Sequence, residues 1–109
     1  MRKQKFYTMD YKSLIKSENV VLVEFYASWC PHCQRMAPVV EGLKDLVNGK
    51  IGIHQIDVDE HEQLAEENGA DTIPTFILYK DGQEVWRHTG EIESDALLSR
   101  ITAAAGNMD

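Results

Sequence analysis

Hydrophobic and polar residues alternate along this chain with two different periods. From Val20 to Ala27 the residues are apolar on both alternating faces except at Glu24, and many are β-branched or aromatic. This pattern predicts a central strand covered by helices on both sides. Beyond Cys33 the apolar residues follow helical spacing until an Asn48-Gly49 stop signal, which predicts the longest helix of the chain. The apolar positions of that helix are Met36, Val39, Val40, Leu43, Leu46 and Val47.

Shorter patterns of the same two kinds complete the series. Strand-like runs cover Lys5–Met9, Lys50–Val58, Thr75–Tyr79 and Glu84–His88. The second run is predicted to be central in the sheet, and a slip in its hydrophobic phase predicts a bulge or an early end. The expected capping residues of three helices are Asp10, Asp59 and Ser94. Glu62 would complete a capping box with Asp59, Gly69 would end that helix, and Asp81-Gly82 predicts a tight hairpin.

The order βαβαβαββα predicts one α/β domain over residues 1–109, with helices on both faces of a central mixed sheet. Of the 109 residues, 43% are apolar and 27% are charged, as in ordinary globular proteins. The net charge of −7 opposes binding to nucleic acid and to anionic lipid. No apolar run approaches the roughly 20 residues that cross a bilayer, and no signal-like apolar region follows Met1-Arg2-Lys3, so a cytoplasmic location is expected.

Cys30 and Cys33 are the two cysteines of the chain. Their close spacing predicts a local purpose, because a structural disulfide framework closes longer loops. At a junction of strand and helix, the unpaired N–H groups and the dipole of the helix N-terminus favour a thiolate, which is the reactive form in disulfide exchange. We therefore predict that Cys30 is the nucleophile and that Cys33, one turn further, is the resolving thiol.

Two residues between the cysteines modify this prediction. Pro31 suits the first helical turn, where its missing N–H costs nothing. The imidazole of His32 would donate to the Cys30 thiolate or place positive charge beside it, and either effect stabilises the reduced pair and makes it more oxidising. The alternative for His32 is an exposed side chain at a helix start with no role in the chemistry.

Metal binding is the main rival interpretation of a Cys-x-x-Cys pair. A structural zinc site usually has four ligands, and no close spacing pairs His54, His61 or His88 into such a set. The acidic run from Asp57 to Glu62 lacks the regular Asp and Gly spacing of a calcium loop, and a solvated helix start accounts for it. We expect no metal.

Glu24 and Pro74 are unusual at their positions. A carboxylate inside an apolar strand has a raised pKa if it is buried. Glu24 is therefore either a strand-edge side chain facing water or a proton acceptor beneath the dithiol, which takes the Cys33 proton. Pro74 stands directly before a strand-like run, and the residue alone leaves the cis and trans forms of its peptide bond open.

Four motifs are spread over nearly the whole chain: Val21 to Cys33, Pro38, Ile73-Pro74-Thr75 and Lys80-Asp81-Gly82. Together they resemble the thioredoxin family. The resemblance implies the thioredoxin fold, an exposed Cys30, a buried Cys33 and a cis Pro74 packed against the dithiol. It also implies that the backbone at Ile73 pairs with an extended substrate peptide. The residues expected to border this shallow groove are Trp29, Pro31, Ile73 and Gly90.

Two features depart from the pattern of that family. Thioredoxins normally carry Gly-Pro between the cysteines, whereas Pro31-His32 is the dipeptide of periplasmic disulfide-donating oxidases. The two kinds of protein differ by roughly 150 mV, or about 7 kcal/mol, which is more than one histidine supplies, so we expect an intermediate potential. Glu24 replaces a buried Asp of the family, and the Lys usually near that Asp aligns with Gln55. Without this cation, a buried Glu24 should have a higher pKa.

The resemblance and the motifs together predict a thiol–disulfide oxidoreductase that reduces protein disulfides and is recycled by a reductase such as thioredoxin reductase. Two alternatives remain: an oxidase or isomerase, favoured in an oxidising compartment, and a peptide-binding module with an incidental dithiol. We expect a cytoplasmic monomer whose only redox group is the Cys30–Cys33 disulfide, with no other cofactor and no nucleic-acid or membrane partner.

Overall fold

The computed structural model describes residues 10–47 and 51–106. Four strands form its sheet: β1 (Val20–Tyr26), β2 (Ile51–Asp57), β3 (Thr75–Lys80) and β4 (Gln83–Thr89). Three helices are α1 (Pro31–Val47), α2 (Glu62–Glu67) and α3 (Ser94–Ala105). Residues 10–14 are also helical. Within the described ranges, no helix is both long enough and apolar enough to cross a membrane.

The sheet is mixed, with the strand order β2-β1-β3-β4. β1 pairs in parallel with β2 and antiparallel with β3, so it lies inside the sheet with a neighbour on each side. The long helix α1 connects the two parallel strands, as a parallel pair requires. In this register Glu24 lies between Gln55 of β2 and Phe76 of β3, which places a carboxylate at the centre of the sheet.

Alternation along β1 divides its side chains between two cores. One core lies between the sheet and the helices α1 and α3, and its fully buried members include Leu22, Val40, Leu43, Phe76, Leu97 and Ile101. The other covers the opposite face, and its buried members include Tyr11, Val21, Val23, Phe25, Leu64 and Ile77. Helices therefore pack on both faces of a mixed sheet, as the sequence predicted. Because side chains alternate along a strand, Glu24 shares the face of Leu22, on which α1 lies.

The hairpin between β3 and β4 follows the prediction closely. Lys80 pairs with Gln83, which leaves Asp81 and Gly82 as a two-residue turn. Both turn residues have positive φ, 53° and 82° respectively, as a type I′ turn requires. A side chain at position 82 would also collide with Lys16, because an added Cβ would lie 2.7 Å from its Cγ. Glycine is therefore favoured at this position for two separate reasons.

Several predicted element ends are wrong. His61, not Asp59, occupies the N-cap position of α2, which begins at Glu62. The Asp59 carboxylate, three residues before the helix, accepts a hydrogen bond from Trp29 Nε1 at 2.7 Å. Glu93 precedes α3, so Ser94 is its first residue rather than its cap, and Asp10 is itself helical.

β2 also differs from its prediction. It pairs continuously with β1 without a bulge, and it is an edge strand among the described residues rather than a central one. The predicted strand over Lys5–Met9 and the Asn48-Gly49 stop signal lie outside the described residues.

Leu43 and Leu46 on α1 provide a matched test of this packing. Leu43 is fully buried in the core shared with α3, whereas Leu46, one turn on, is 67% exposed. Leu43→Ala should lower the free energy of unfolding by about 2–5 kcal/mol, because it removes buried methyl groups and leaves a cavity. Leu46→Ala should change it by less than about 0.5 kcal/mol. Urea denaturation of both variants measures the difference, and equal effects would contradict the assigned helix face.

Candidate active site

The dithiol lies where β1 ends and α1 begins. The chain turns after Tyr26, and the N–H of Cys30 donates to the carbonyl of Ala27 at 3.2 Å. Pro31 is the first residue of α1, as predicted, and the N–H of Gln34 closes the first turn on the carbonyl of Cys30 at 2.9 Å. The spacing of two residues between the cysteines therefore places both sulfurs at one helix N-terminus. Neither cysteine is in a disulfide in this structure.

Both thiols are covered by neighbouring residues. Cys30 is 4% exposed and Cys33 is 5% exposed, so the expectation of an exposed Cys30 is wrong. The two cysteines and Ala27 form a small buried cluster, and Tyr26, Val58 and Ile73 pack against it. The start of the helix and this apolar cover leave little of the Cys30 surface open to water.

The surroundings shift the pKa values of the two thiols in opposite directions. Burial raises the pKa of Cys30, but hydrogen bonds from the backbone and thiol of Cys33 and from the His32 backbone N–H, with the nearby Arg35 charge, outweigh it and lower the pKa overall. Burial raises the pKa of Cys33 to about 12, and an Ala27 backbone hydrogen bond offsets only part of this effect. The nearby Cys30 and Glu24 groups raise it further. This asymmetry suits a nucleophile followed by a protonated resolving thiol.

A charged cluster at the rim of the dithiol holds the His32 imidazole. His32 Nδ1 lies 2.7 Å from Glu91 Oε2, and Arg35 Nε donates to the same oxygen at 2.8 Å. Hydrogen bonds from Arg35 and then His32 lower the pKa of the Glu91 carboxyl to about 2. The imidazole thus contacts a carboxylate, and the hydrogen bond that His32 gives to Cys30 comes from its backbone.

Sequence reasoning did not find Arg35 or Glu91. The three-residue separation of His32 and Arg35 on a helix is a usable signal, since such residues are neighbours on one face. Glu91 follows β4, 59 residues from His32 in the chain, and no local pattern links the two.

Glu24 is buried beneath the dithiol, and its exposed fraction is 1%. The alternative of a strand-edge side chain facing water is therefore wrong. Gln55 Nε2 donates to Glu24 Oε1 at 3.0 Å, and Lys44 Nζ donates to Gln55 Oε1 at 2.9 Å. Burial raises the pKa of Glu24, as expected, while the Gln55 hydrogen bond and the Lys44 charge oppose part of that rise.

The expectation that no compensating cation lies near Glu24 is wrong. Lys44 supplies the charge from α1, whereas the resemblance concerned only position 55 of β2. The two positions are 11 residues apart in the chain and become neighbours only when α1 packs on the sheet.

A cavity of about 170 Å³ connects Glu24 with Cys33. Gln34 of α1 and Gln55 of β2 also line it, so its walls include polar groups. A polar cavity of this size admits water, which provides a path for a proton between the thiol and the carboxylate.

The residues predicted to border a peptide groove lie around the same end of the sheet. The Ile73–Pro74 peptide bond is cis, as the resemblance implied, and Ile73 packs against the cysteine cluster. The N–H of Gly90 donates to the Pro74 carbonyl at 2.8 Å, which ties the end of β4 to the start of β3. Trp29 is 64% exposed beside Cys30. Pro31 is exposed at the start of α1.

Residues 3–103 match the sequence model of the Thioredoxin family. This chain belongs to the thioredoxin family. Members of that family are thiol–disulfide oxidoreductases, and the paired thiols of this thioredoxin-family chain fit dithiol–disulfide exchange. The four-stranded mixed sheet with flanking helices is the thioredoxin fold.

Named relatives and a solved structure agree with this assignment. The chain is 42% identical over 81 residues to a thioredoxin of Bacillus subtilis, covering 74% of this chain and 78% of that protein. It is 35% identical over 103 residues to the chloroplastic thioredoxin Y of rice, covering 94% of this chain but only 61% of that longer protein. A mutant thioredoxin of Halobacterium salinarum superposes with a TM-score of 0.83 at 34% identity, covering 93% of this chain and 88% of the other.

Metal-ligating side chains do not cluster in the part of the chain that the structure describes. Over residues 10–47 and 51–106, no group of three or more His, Cys, Asp or Glu side chains is arranged to hold a metal ion. The second ligand pair that a zinc interpretation of Cys30 and Cys33 requires is therefore missing from the described residues.

Proposed function

We propose that this chain reduces disulfides in protein substrates through Cys30 and Cys33. The Cys30 thiolate attacks one sulfur of a substrate disulfide, a Cys30–substrate bond forms, and the other substrate sulfur leaves as a thiolate. Cys33 then loses its proton and attacks the Cys30 sulfur, which releases the second substrate sulfur. The dithiol has given two electrons to the substrate and has become the Cys30–Cys33 disulfide. A flavin-dependent reductase or another dithiol donor returns the two electrons.

The opposite pKa shifts of the two thiols carry this proposal. A lowered pKa at Cys30 provides the thiolate that starts the reaction, and a raised pKa at Cys33 keeps the second thiol protonated until the mixed disulfide has formed. A binding module with an incidental dithiol has no need for such an asymmetry.

Glu24 is the proton acceptor in this scheme. The raised pKa of Cys33 means that its thiol needs a base, and Glu24 is the carboxylate that shares the cavity with it. Because burial raises the pKa of Glu24, its carboxylate is a stronger base than an exposed one, and water in the cavity would carry the proton.

Substrates bind in an extended form across the groove bordered by Trp29, Ile73 and Gly90. Trp29 supplies a large exposed apolar surface next to Cys30, and Ile73 packs against the buried cluster that contains both cysteines. A peptide strand paired with the backbone at Ile73 would bring its disulfide to Cys30, with main-chain hydrogen bonds giving affinity for many sequences. This mode suits a reductase that acts on varied proteins.

The dithiol has a potential above that of thioredoxin and below that of the strong periplasmic oxidants. Backbone hydrogen bonds and the Arg35 charge stabilise the Cys30 thiolate, which favours the reduced form. The negative charge of the Glu91 carboxylate, which contacts both Arg35 and His32, offsets part of the positive charge near Cys30 and so limits the stabilisation of the thiolate. The protein acts as a cytoplasmic monomer with no cofactor beyond its own disulfide. In an oxidising compartment the same dithiol would act as an oxidase or isomerase.

Substitution of each cysteine in turn tests the assigned roles. Cys33→Ser should accumulate a mixed disulfide with insulin or another disulfide protein, because nothing resolves the bond to Cys30. Cys30→Ser should trap none and should lose reductase activity. Non-reducing electrophoresis detects the adducts. Trapping by Cys30→Ser would reverse the roles, and full function of that variant would support the binding-module alternative.

Equilibration with glutathione buffers tests the potential. The value for the unmodified protein should lie between about −270 mV and about −120 mV. Glu91→Gln should raise it, because the Arg35 charge near the Cys30 thiolate is then unbalanced, whereas Glu93→Gln, two residues on, should leave it unchanged. A potential at or below about −270 mV would contradict the claim.

A further inference from the structure

Lys44 lies on the dithiol helix but far along it, in the turn before α1 ends at Val47. Its ammonium group donates to Gln55 Oε1 at 2.9 Å, and Gln55 Nε2 donates to Glu24 Oε1 at 3.0 Å. The three side chains come from α1, β2 and β1, so the arrangement exists only in the folded protein. It forms a continuous path from a cation near the surface to the buried carboxylate.

The chemistry of the three groups fixes the direction of the Gln55 amide. An ammonium group has only donors and a carboxylate has only acceptors, so the amide oxygen must face Lys44 and its NH₂ group must face Glu24. The positive charge polarises the amide and strengthens its N–H bond to an ionised carboxylate. Lys44 therefore favours the ionised form of Glu24 without touching it.

The competing partner of Lys44 is weaker. Glu41 Oε2 lies 3.5 Å from the ammonium group, and the Glu41 side chain is 70% exposed. Water screens such a pair, and its contribution is small. The shorter contact with the part-buried Gln55 therefore holds the ammonium group toward Glu24, and burial and the same charge together lower the pKa of His54 on β2.

We propose that Lys44 is a positioning residue for disulfide exchange, which acts through Gln55 to hold Glu24 ready to accept the Cys33 proton. The inference rests on the proposed role of Glu24 as proton acceptor. It places the cation that acts on the buried carboxylate on α1 instead of at position 55, with the Gln55 amide as the bridge.

Other groups around Glu24 do not replace Lys44. Cys33 of α1 and Tyr26 of β1 are near enough to interact with its charge, but both are neutral when protonated, and each has a raised pKa. Phe76, its partner on β3, is apolar and fully buried. Of the interactions that shift the pKa of Glu24, the Lys44 charge is the one from a cation.

Two readouts on Lys44→Met test the proposal. Carbon-13 NMR of the Glu24 carboxyl group should show its pKa rising by about one unit, a tenfold change in proton affinity, because the cation is lost. The rising limb of the pH–rate profile for single-turnover insulin reduction should move to higher pH by the same amount. Gln55→Leu, which removes the bridge, should move both readouts in the same direction. Lys44→Arg, which keeps the positive charge, should leave both readouts near their original values.

Lys12→Met is the matched control, because Lys12 belongs to the helical segment 10–14, whose Tyr11 packs on the opposite face of the sheet. It removes the same charge and should leave both readouts at their original values. An unchanged Glu24 pKa in folded Lys44→Met and Gln55→Leu proteins would overturn the inference about Lys44 and leave the role of Glu24 standing. A shifted pKa with an unchanged pH–rate profile would instead overturn the role of Glu24 as proton acceptor, and the role of Lys44 with it.

Discussion

The hydrogen bonds at the N-terminus of α1 are the interaction on which the chemistry of this protein depends. A helix start leaves backbone N–H groups without partners inside the helix, and here those of His32 and Cys33 point to the Cys30 sulfur. Hydrogen bonds donated to this sulfur stabilise its thiolate form more than its thiol form, which lowers the pKa of Cys30. The second sulfur is equally covered, but burial raises its pKa and a backbone hydrogen bond at Ala27 offsets only part of that rise. One junction of strand and helix therefore makes two chemically different thiols out of identical residues.

The position of this junction follows from the packing of the strand that precedes it. β1 is buried along almost its whole length between two cores, so the point at which the chain leaves the sheet is fixed by apolar contacts on both faces. This burial also removes the Glu24 carboxylate, in the middle of the strand, from water, which disfavours its charged form. Gln55 and Lys44 reduce this effect and leave a carboxyl group with a raised pKa beside the cavity of the resolving thiol. The features that stabilise the fold and those that assist the reaction share the same strand.

Much of this architecture could be predicted from the sequence because it follows from local periodicity. The buried β1, the long α1 and the turn at Asp81-Gly82 each carry their own signal within a few residues. Helix starts are less predictable. Asp59 is a typical capping residue, but α2 begins three residues later, and the Asp59 carboxylate accepts a hydrogen bond from Trp29, 30 residues away in the chain. Such a contact depends on the tertiary structure.

The residues of the active site likewise fall into those marked by a local motif and those whose partners are distant in sequence. Cys30, Cys33 and Pro74 stand out in short motifs, whereas the apolar neighbours of Glu24 leave its burial open, and only the packing of the sheet decides it. Lys44 and Glu91 were missed because their partners are distant in sequence, and only the packing of α1 on the sheet and the return of the chain after β4 bring them together. Cys30 is buried instead of exposed because Val58 and Ile73, which are distant from it in sequence, pack against the cluster that it forms with Ala27 and Cys33.

Carbon-13 NMR of the cysteine Cβ atoms in the reduced protein, recorded across a pH series, measures whether the helix N-terminus makes the two thiols different. Two separate titrations are expected. The Cys30 signal should change below the ordinary thiol pKa of about 8.5, and the Cys33 signal should change only near a pKa of about 12. Two signals that titrate together near the ordinary value would instead show that the helix N-terminus does not distinguish the thiols.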